Sequence, residues 1–81
     1  MRVEVLFFAE LKEMFGGSRL SLELAEGSSV DEALERLAEL QTDRRFQGLP
    51  LIFAVNKDFE TGGRKLEDRD RLAVMTPMSG G

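Results

Sequence analysis

The sequence predicts one α+β domain: a mixed sheet of about five strands with one long helix packed across a single face. Three observations predict it. The chain has 81 residues, enough for one domain with one modest core. Apolar, β-type runs stand near both ends, at Val3–Phe8 and Arg71–Met75. Between them lies an amphipathic stretch with helical spacing that opens on a capping signal at Ser29.

The elements follow in order. Val3 to Phe8 is a compact apolar run and reads as a buried first strand. Phe7 and Phe8 are adjacent, so they face opposite sides; one belongs to the core, and the other packs under the helix edge or faces a partner. Leu11, Met14 and Phe15 follow at helical spacing, and Gly16-Gly17 suits the end of that short helix. Leu20, Leu22 and Leu24 alternate with Ser21 and Glu23, the period of a strand with one face buried.

Ser29 with Glu32 three residues on fits a capping box, and Asp31 suits the positive end of a helix dipole. Val30, Ala33, Leu34, Leu37, Ala38 and Gln41 share one stripe, Leu40 borders it, and Glu35, Arg36 and Glu39 point away. A helix over 29–41 follows. Thr42–Leu49 is polar and reads as a connection with room for one helical turn. Leu51–Val55 is a buried strand, Asn56-Lys57-Asp58 a turn, Phe59-Glu60 a short strand, and Thr61-Gly62-Gly63 another turn. Leu66–Asp70 is a polar corner in which Glu67, Asp68 and Asp70 read as solvated. Lys57, Lys65, Arg69 and Arg71 read the same way. Arg71–Met75 is the last strand. The first and last strands are the most continuously apolar, which places them together at the sheet centre.

Composition narrows the chemistry. There is no Cys and no His, which removes thiolate nucleophiles, disulfides, Cys/His metal sites and imidazole acid–base catalysis. With 15 acidic and 11 basic residues the net charge is −4, and the basic residues do not cluster. Nucleic acid is not an expected partner. An acidic surface favours partners with basic docking faces. No apolar run approaches the roughly 20 residues of a membrane span, and the opening residues lack a signal-peptide pattern, so the expectation is a cytoplasmic protein with no membrane role.

Three segments in this order carry a resemblance: Val5-Leu6-Phe7-Phe8-Ala9-Glu10-Leu11-Lys12-Glu13, then Ala54-Val55-Asn56, then Leu66-Glu67-Asp68-Arg69-Asp70 running through Arg71–Met75 to Thr76-Pro77-Met78-Ser79-Gly80-Gly81. Together they resemble the small, sulfur-carrying subunit of molybdopterin synthase, over essentially the whole chain. The resemblance implies a ubiquitin-like β-grasp over residues 1–75 and a flexible tail over residues 76–81. Two departures stand out: Arg69 occupies a corner position where the family usually has Gly, and Met75-Thr76-Pro77 replaces a stretch that often carries an aromatic residue and two prolines.

The tail has its own physical reading. Pro77 stiffens the exit from the last strand. The residues beyond that strand reach about 16–20 Å when extended. Gly80 and Gly81 have no Cβ, so a partner can enclose them in a narrow channel, and the group delivered is the Gly81 carboxylate. Adenylation by an ATP-using enzyme would give that carboxylate a leaving group; a sulfur donor would displace AMP and leave a thiocarboxylate, a sulfur nucleophile that requires no cysteine. The resemblance implies that this sulfur goes to a pterin precursor in the large catalytic subunit. The expected site is therefore Gly81, with Gly80, Ser79, Met78, Pro77 and Met75 contacting partners; Met75 and Met78 also read as core filler.

The expected partners are the large subunit, an adenylating enzyme and a sulfur donor enzyme, in a hetero-oligomer. No tightly bound cofactor and no metal are expected, only transient AMP and sulfur on Gly81. The carrier itself would be a non-catalytic subunit. Alternatives are the same chemistry for thiamine precursor synthesis or tRNA thiolation, or a regulatory binding module with a passive tail. Ubiquitin-style tagging fits less well, because the tail lacks the basic residues that precede Gly-Gly in ubiquitin.

Overall fold

A computed structural model describes residues 1–77. The elements are β1 (Arg2–Phe7), α1 (Glu10–Met14), β2 (Arg19–Glu23), α2 (Val30–Leu40), a 3₁₀ turn (Arg44–Gly48), β3 (Ile52–Val55), β4 (Asp58–Glu60) and β5 (Arg71–Met75). The sheet order is β2-β1-β5-β3-β4. β1 and β5 pair in parallel and every other pair is antiparallel. The expected central pairing of first and last strands is therefore present, as is the predicted order of elements.

Each strand alternates its side chains across the sheet. Val3, Val5, Phe7, Leu72 and Val74 turn inward and are buried, where they meet Val30, Ala33 and Leu37 of α2. Leu34 and Ala38 lie half-buried at the stripe's edge, and Leu40 is exposed. Phe7 stacks on Phe15 at a ring separation of 4.1 Å, and Phe15 meets Phe46 edge-on at 5.4 Å. This trio closes the end of the core where α1 and the 3₁₀ turn come together.

Helix α2 begins as its sequence predicts. The Ser29 hydroxyl accepts from the Glu32 amide, and the Glu32 carboxylate accepts from the Ser29 amide. The next two amides are also satisfied: Val30 N donates to the Arg64 carbonyl and Asp31 N to the Gly62 carbonyl, both at 2.9 Å. Here Gly62 does more than turn the chain, because a Cβ at this position would collide with the Asp31 carboxylate. At the other end, Gln41 Nε2 donates to the Met14 carbonyl at 2.8 Å, tying α2 to α1.

The Leu66–Asp70 corner departs from its sequence reading. Asp70 is buried, at 7% exposure. Its Oδ1 accepts from Asn56 Nδ2 at 2.9 Å and its Oδ2 from the Glu67 amide at 2.8 Å. The Asp68 carboxylate accepts from the Arg2 amide at 2.8 Å. The Asp70 carboxylate is thus buried with both oxygens hydrogen-bonded, and the two Asp residues hold the corner's backbone in place.

Leu37 is fully buried and Leu40 is 48% exposed on the same helix. Leu37→Ala is expected to destabilise the fold by about 3 kcal/mol in urea unfolding. Leu40→Ala is expected to cost less than about 1 kcal/mol. Equal losses at the two positions would contradict the assigned core face.

Candidate functional site

Strand β5 carries the chain from the corner to the tail. It is held on both sides: Arg71 to Val74 lie beside Glu4 to Phe7 of β1, and Leu72 to Met75 lie beside Val55 to Ile52 of β3. The tail therefore leaves from the centre of the sheet, not from an edge. Met75 is half-buried on the outer face beside Ile52, and Pro77 is exposed. Gly81, Gly80, Ser79 and Met78 lie outside the described residues, so the expected tail is described only at Thr76 and Pro77.

The outer face, opposite α2, is apolar at its centre. In register, Arg19, Leu6, Ala73, Ala54 and Phe59 form one row across all five strands. Two alanines at the middle of this row leave a hollow between larger neighbours. The result is a groove of about 470 Å³ lined by Leu6, Phe8, Ala73, Asn56, Lys57, Arg69 and Arg71. Phe8 is 48% exposed here and Phe59, on the edge strand, 72%. This resolves the Phe7/Phe8 pair: Phe7 is core, and Phe8 faces outward beside the strand that launches the tail.

The groove's polar end is built on an asparagine. Asn56 and Lys57 form the two-residue loop between β3 and β4, with φ of 50° and 76°, the conformation that such a tight hairpin requires. Asn56 N donates to the Arg71 carbonyl at 2.9 Å, Asn56 Oδ1 accepts from the Arg71 amide at 3.0 Å, and Asn56 Nδ2 holds Asp70. Arg69 sits at φ 69°, in the left-handed region that favours glycine. Its amide donates to the Arg2 carbonyl at 2.7 Å, which explains why the turn is held there. Sequence reasoning placed Asn56 and Asp70 in turns but missed their bond, because the two are 14 residues apart.

Nothing in this arrangement resembles an acid–base pair. Among the described residues no cluster of acidic side chains is placed to hold a metal ion. Among the described residues no helix is long and apolar enough to cross a membrane.

A five-stranded mixed sheet in the order β2-β1-β5-β3-β4, with one long helix across its inner face, is the ubiquitin-like β-grasp. The model of the ThiS family matches residues 5–81, and the chain belongs to that family. The molybdopterin synthase sulfur carrier subunit of Arabidopsis thaliana is 28% identical over 81 residues, covering 100% of this chain and 84% of the relative. Among solved structures, the putative molybdopterin converting factor subunit 1 of Pyrococcus furiosus superposes with a TM-score of 0.87 at 23% identity, covering 96% of this chain and 99% of that one. A complex of subunits 1 and 2 of the molybdopterin-converting factor from Helicobacter pylori contains a chain that superposes at 0.71 with 23% identity, covering 100% of both chains.

The Asn56 side chain supports both Asp70 and the start of β5. Asn56→Ala is expected to destabilise the fold by about 2 kcal/mol, because it leaves a buried carboxylate oxygen short of its donor. Arg69→Gly is expected to do the opposite, raising stability by about 1 kcal/mol by relieving the left-handed backbone. Thermal unfolding of the two variants checks both signs; destabilisation by Arg69→Gly would contradict the strained turn.

Proposed function

We propose that this chain is the sulfur carrier subunit of a molybdopterin synthase and that it works through a thiocarboxylate at Gly81. The observation that carries the reading is the family match, which runs through residue 81 and so includes the Gly80-Gly81 end. The geometry supports it: the tail starts from the middle strand of the sheet, which is bonded to a neighbour on each side. A carrier has to present a chain end to its partners from a base that does not shift, and a central strand bonded on both sides is such a base.

The chemistry belongs to the Gly81 carboxylate. A carboxylate oxygen attacks the α-phosphate of ATP in the adenylating enzyme, releasing pyrophosphate and forming the acyl-adenylate. Hydrosulfide released by the sulfur donor attacks the acyl carbon, AMP leaves and the proton is lost, so the carboxyl group now holds sulfur in place of one oxygen. In the large subunit this sulfur is the nucleophile toward the pterin precursor. Water then releases the acyl group and restores the carboxylate. The chain contributes no Cys and no His to these steps. Its side chains position and dock, and the catalytic groups come from the partners.

The partners dock on the outer sheet face, where Phe8, Leu6 and Met75 lie beside the tail's exit. The complex with the large subunit is a hetero-oligomer. The folded domain remains unchanged as it passes from the adenylating enzyme to the synthase, and only the terminal group differs.

Incubation with ATP, an adenylating enzyme of this class and a sulfur donor should raise the intact mass by the difference between one sulfur and one oxygen. Fragmentation should place the change at Gly81. An unchanged mass under conditions that convert a control carrier would contradict the proposal. Deletion of Gly81 should abolish conversion and leave the melting temperature within about 2 °C, since the buried core cluster is built from residues 3–74.

A further inference from the structure

The groove on the outer face has a charge opposite to that of the chain. The protein carries a net −4, yet Lys57, Arg69 and Arg71 all line the apolar hollow formed by Leu6, Phe8 and Ala73. Among the described residues, Lys57 and Arg71 pair with no carboxylate, and Arg69 Nε reaches only Asp68, at 3.9 Å. Two acids that neighbour Arg71 are engaged elsewhere. Glu4, beside Arg71 in register, pairs with Arg19 at 3.2 Å, and Asp70 is held by Asn56.

The backbone adds an independent observation. The described residues contain four non-glycine residues at positive φ: Ala9, Asn56, Lys57 and Arg69. Three of them line this groove, and the fourth follows Phe8, which also lines it. At Lys57 and Arg69 glycine would be the cheaper residue on steric grounds, because the left-handed region costs an ordinary side chain about 1–2 kcal/mol. Both positions instead carry a cation directed at the same hollow. The tight hairpin and the corner set this backbone, and each places its cation at the edge of the hollow.

We infer that this groove receives an acidic–apolar segment of a partner protein: a large apolar side chain seated over Ala73 between Leu6 and Phe8, with carboxylates beside it on Lys57, Arg69 and Arg71. The inference rests on the carrier reading for the partner's purpose, not for the binding itself. Arg71 and Met75 lie four residues apart on β5, so the cationic end stands roughly 13 Å from the start of the tail. A segment matched to both ends of the groove seats in one direction, which sets where the tail enters the partner. The cations thus determine orientation and partner choice, while the hollow supplies the apolar contact.

The test uses the full chain, labelled with ¹⁵N, and two capped hexapeptides at millimolar concentration, Asp-Glu-Leu-Phe-Glu-Asp and Lys-Arg-Leu-Phe-Arg-Lys. The acidic peptide should shift the amides of Leu6, Phe8, Arg71 and Ala73, with an affinity that falls as salt rises. The basic peptide should bind at least about fivefold more weakly. The double variant Lys57→Gly, Arg69→Gly should melt at a higher temperature than the parent and yet bind the acidic peptide about tenfold more weakly. A shift map centred on α2, equal response to both peptides, or undiminished binding by the double variant would each overturn the inference. The assay uses neither ATP nor sulfur. Normal peptide binding with an unconvertible Gly81 would therefore overturn the carrier reading alone, and a convertible Gly81 without peptide binding would overturn the groove alone.

Discussion

The parallel pairing of β1 with β5 is the constraint on which the rest of the structure depends. It joins the two ends of the chain, Glu4–Phe7 with Arg71–Val74, and so closes a loop that contains nearly everything else. Closing a loop of that length carries an entropic cost that local structure alone does not repay. The return comes from side chains buried on the inner face, Val5, Phe7, Leu72 and Val74, against α2. The corner before β5 extends the same seam: Arg69 N to the Arg2 carbonyl, Glu4 N to the Asp70 carbonyl, and Arg2 N to the Asp68 carboxylate. This seam also fixes the point from which the tail departs.

Structure and function meet at this seam. A tail leaving an edge strand would share that strand's local openings, whereas β5 is bonded to a neighbour on each side. The outer face of the same two strands supplies Leu6, Phe8 and Ala73, so whatever docks there is automatically registered against the tail's exit. The interior explains the fold; the exterior of the same strands explains its use.

Much of this was legible in the sequence, for identifiable reasons. The capping box at Ser29 and Glu32 and the stripe through Val30, Ala33 and Leu37 predict α2 because a helix's ends and period are local properties. The apolar continuity of β1 and β5 predicts that they share the sheet centre, and the terminal Gly-Gly with its resemblance predicts the family. What escaped was non-local. Asp70 read as one acid among three in a polar corner, since nothing near it in sequence names Asn56 as its partner. The cationic groove was hidden for the same reason: Lys57, Arg69 and Arg71 are each flanked by acids along the chain, and only the fold gathers them around one hollow. The departure from glycine at Arg69 was visible, but its meaning required knowing that φ there is positive and that Lys57 shares the condition.

The chain end launched by β5 acts, in the proposed function, as a sulfur donor. This role is tested most directly by following the atom. The chain is loaded with ³⁵S at its C-terminus and mixed with a large synthase subunit and the pterin precursor. Radioactivity should move to the pterin in step with the return of Gly81 to a carboxylate, as read by intact mass. Radioactivity that stays on the chain, or is released without reaching the pterin while a control carrier transfers it, would contradict the claim.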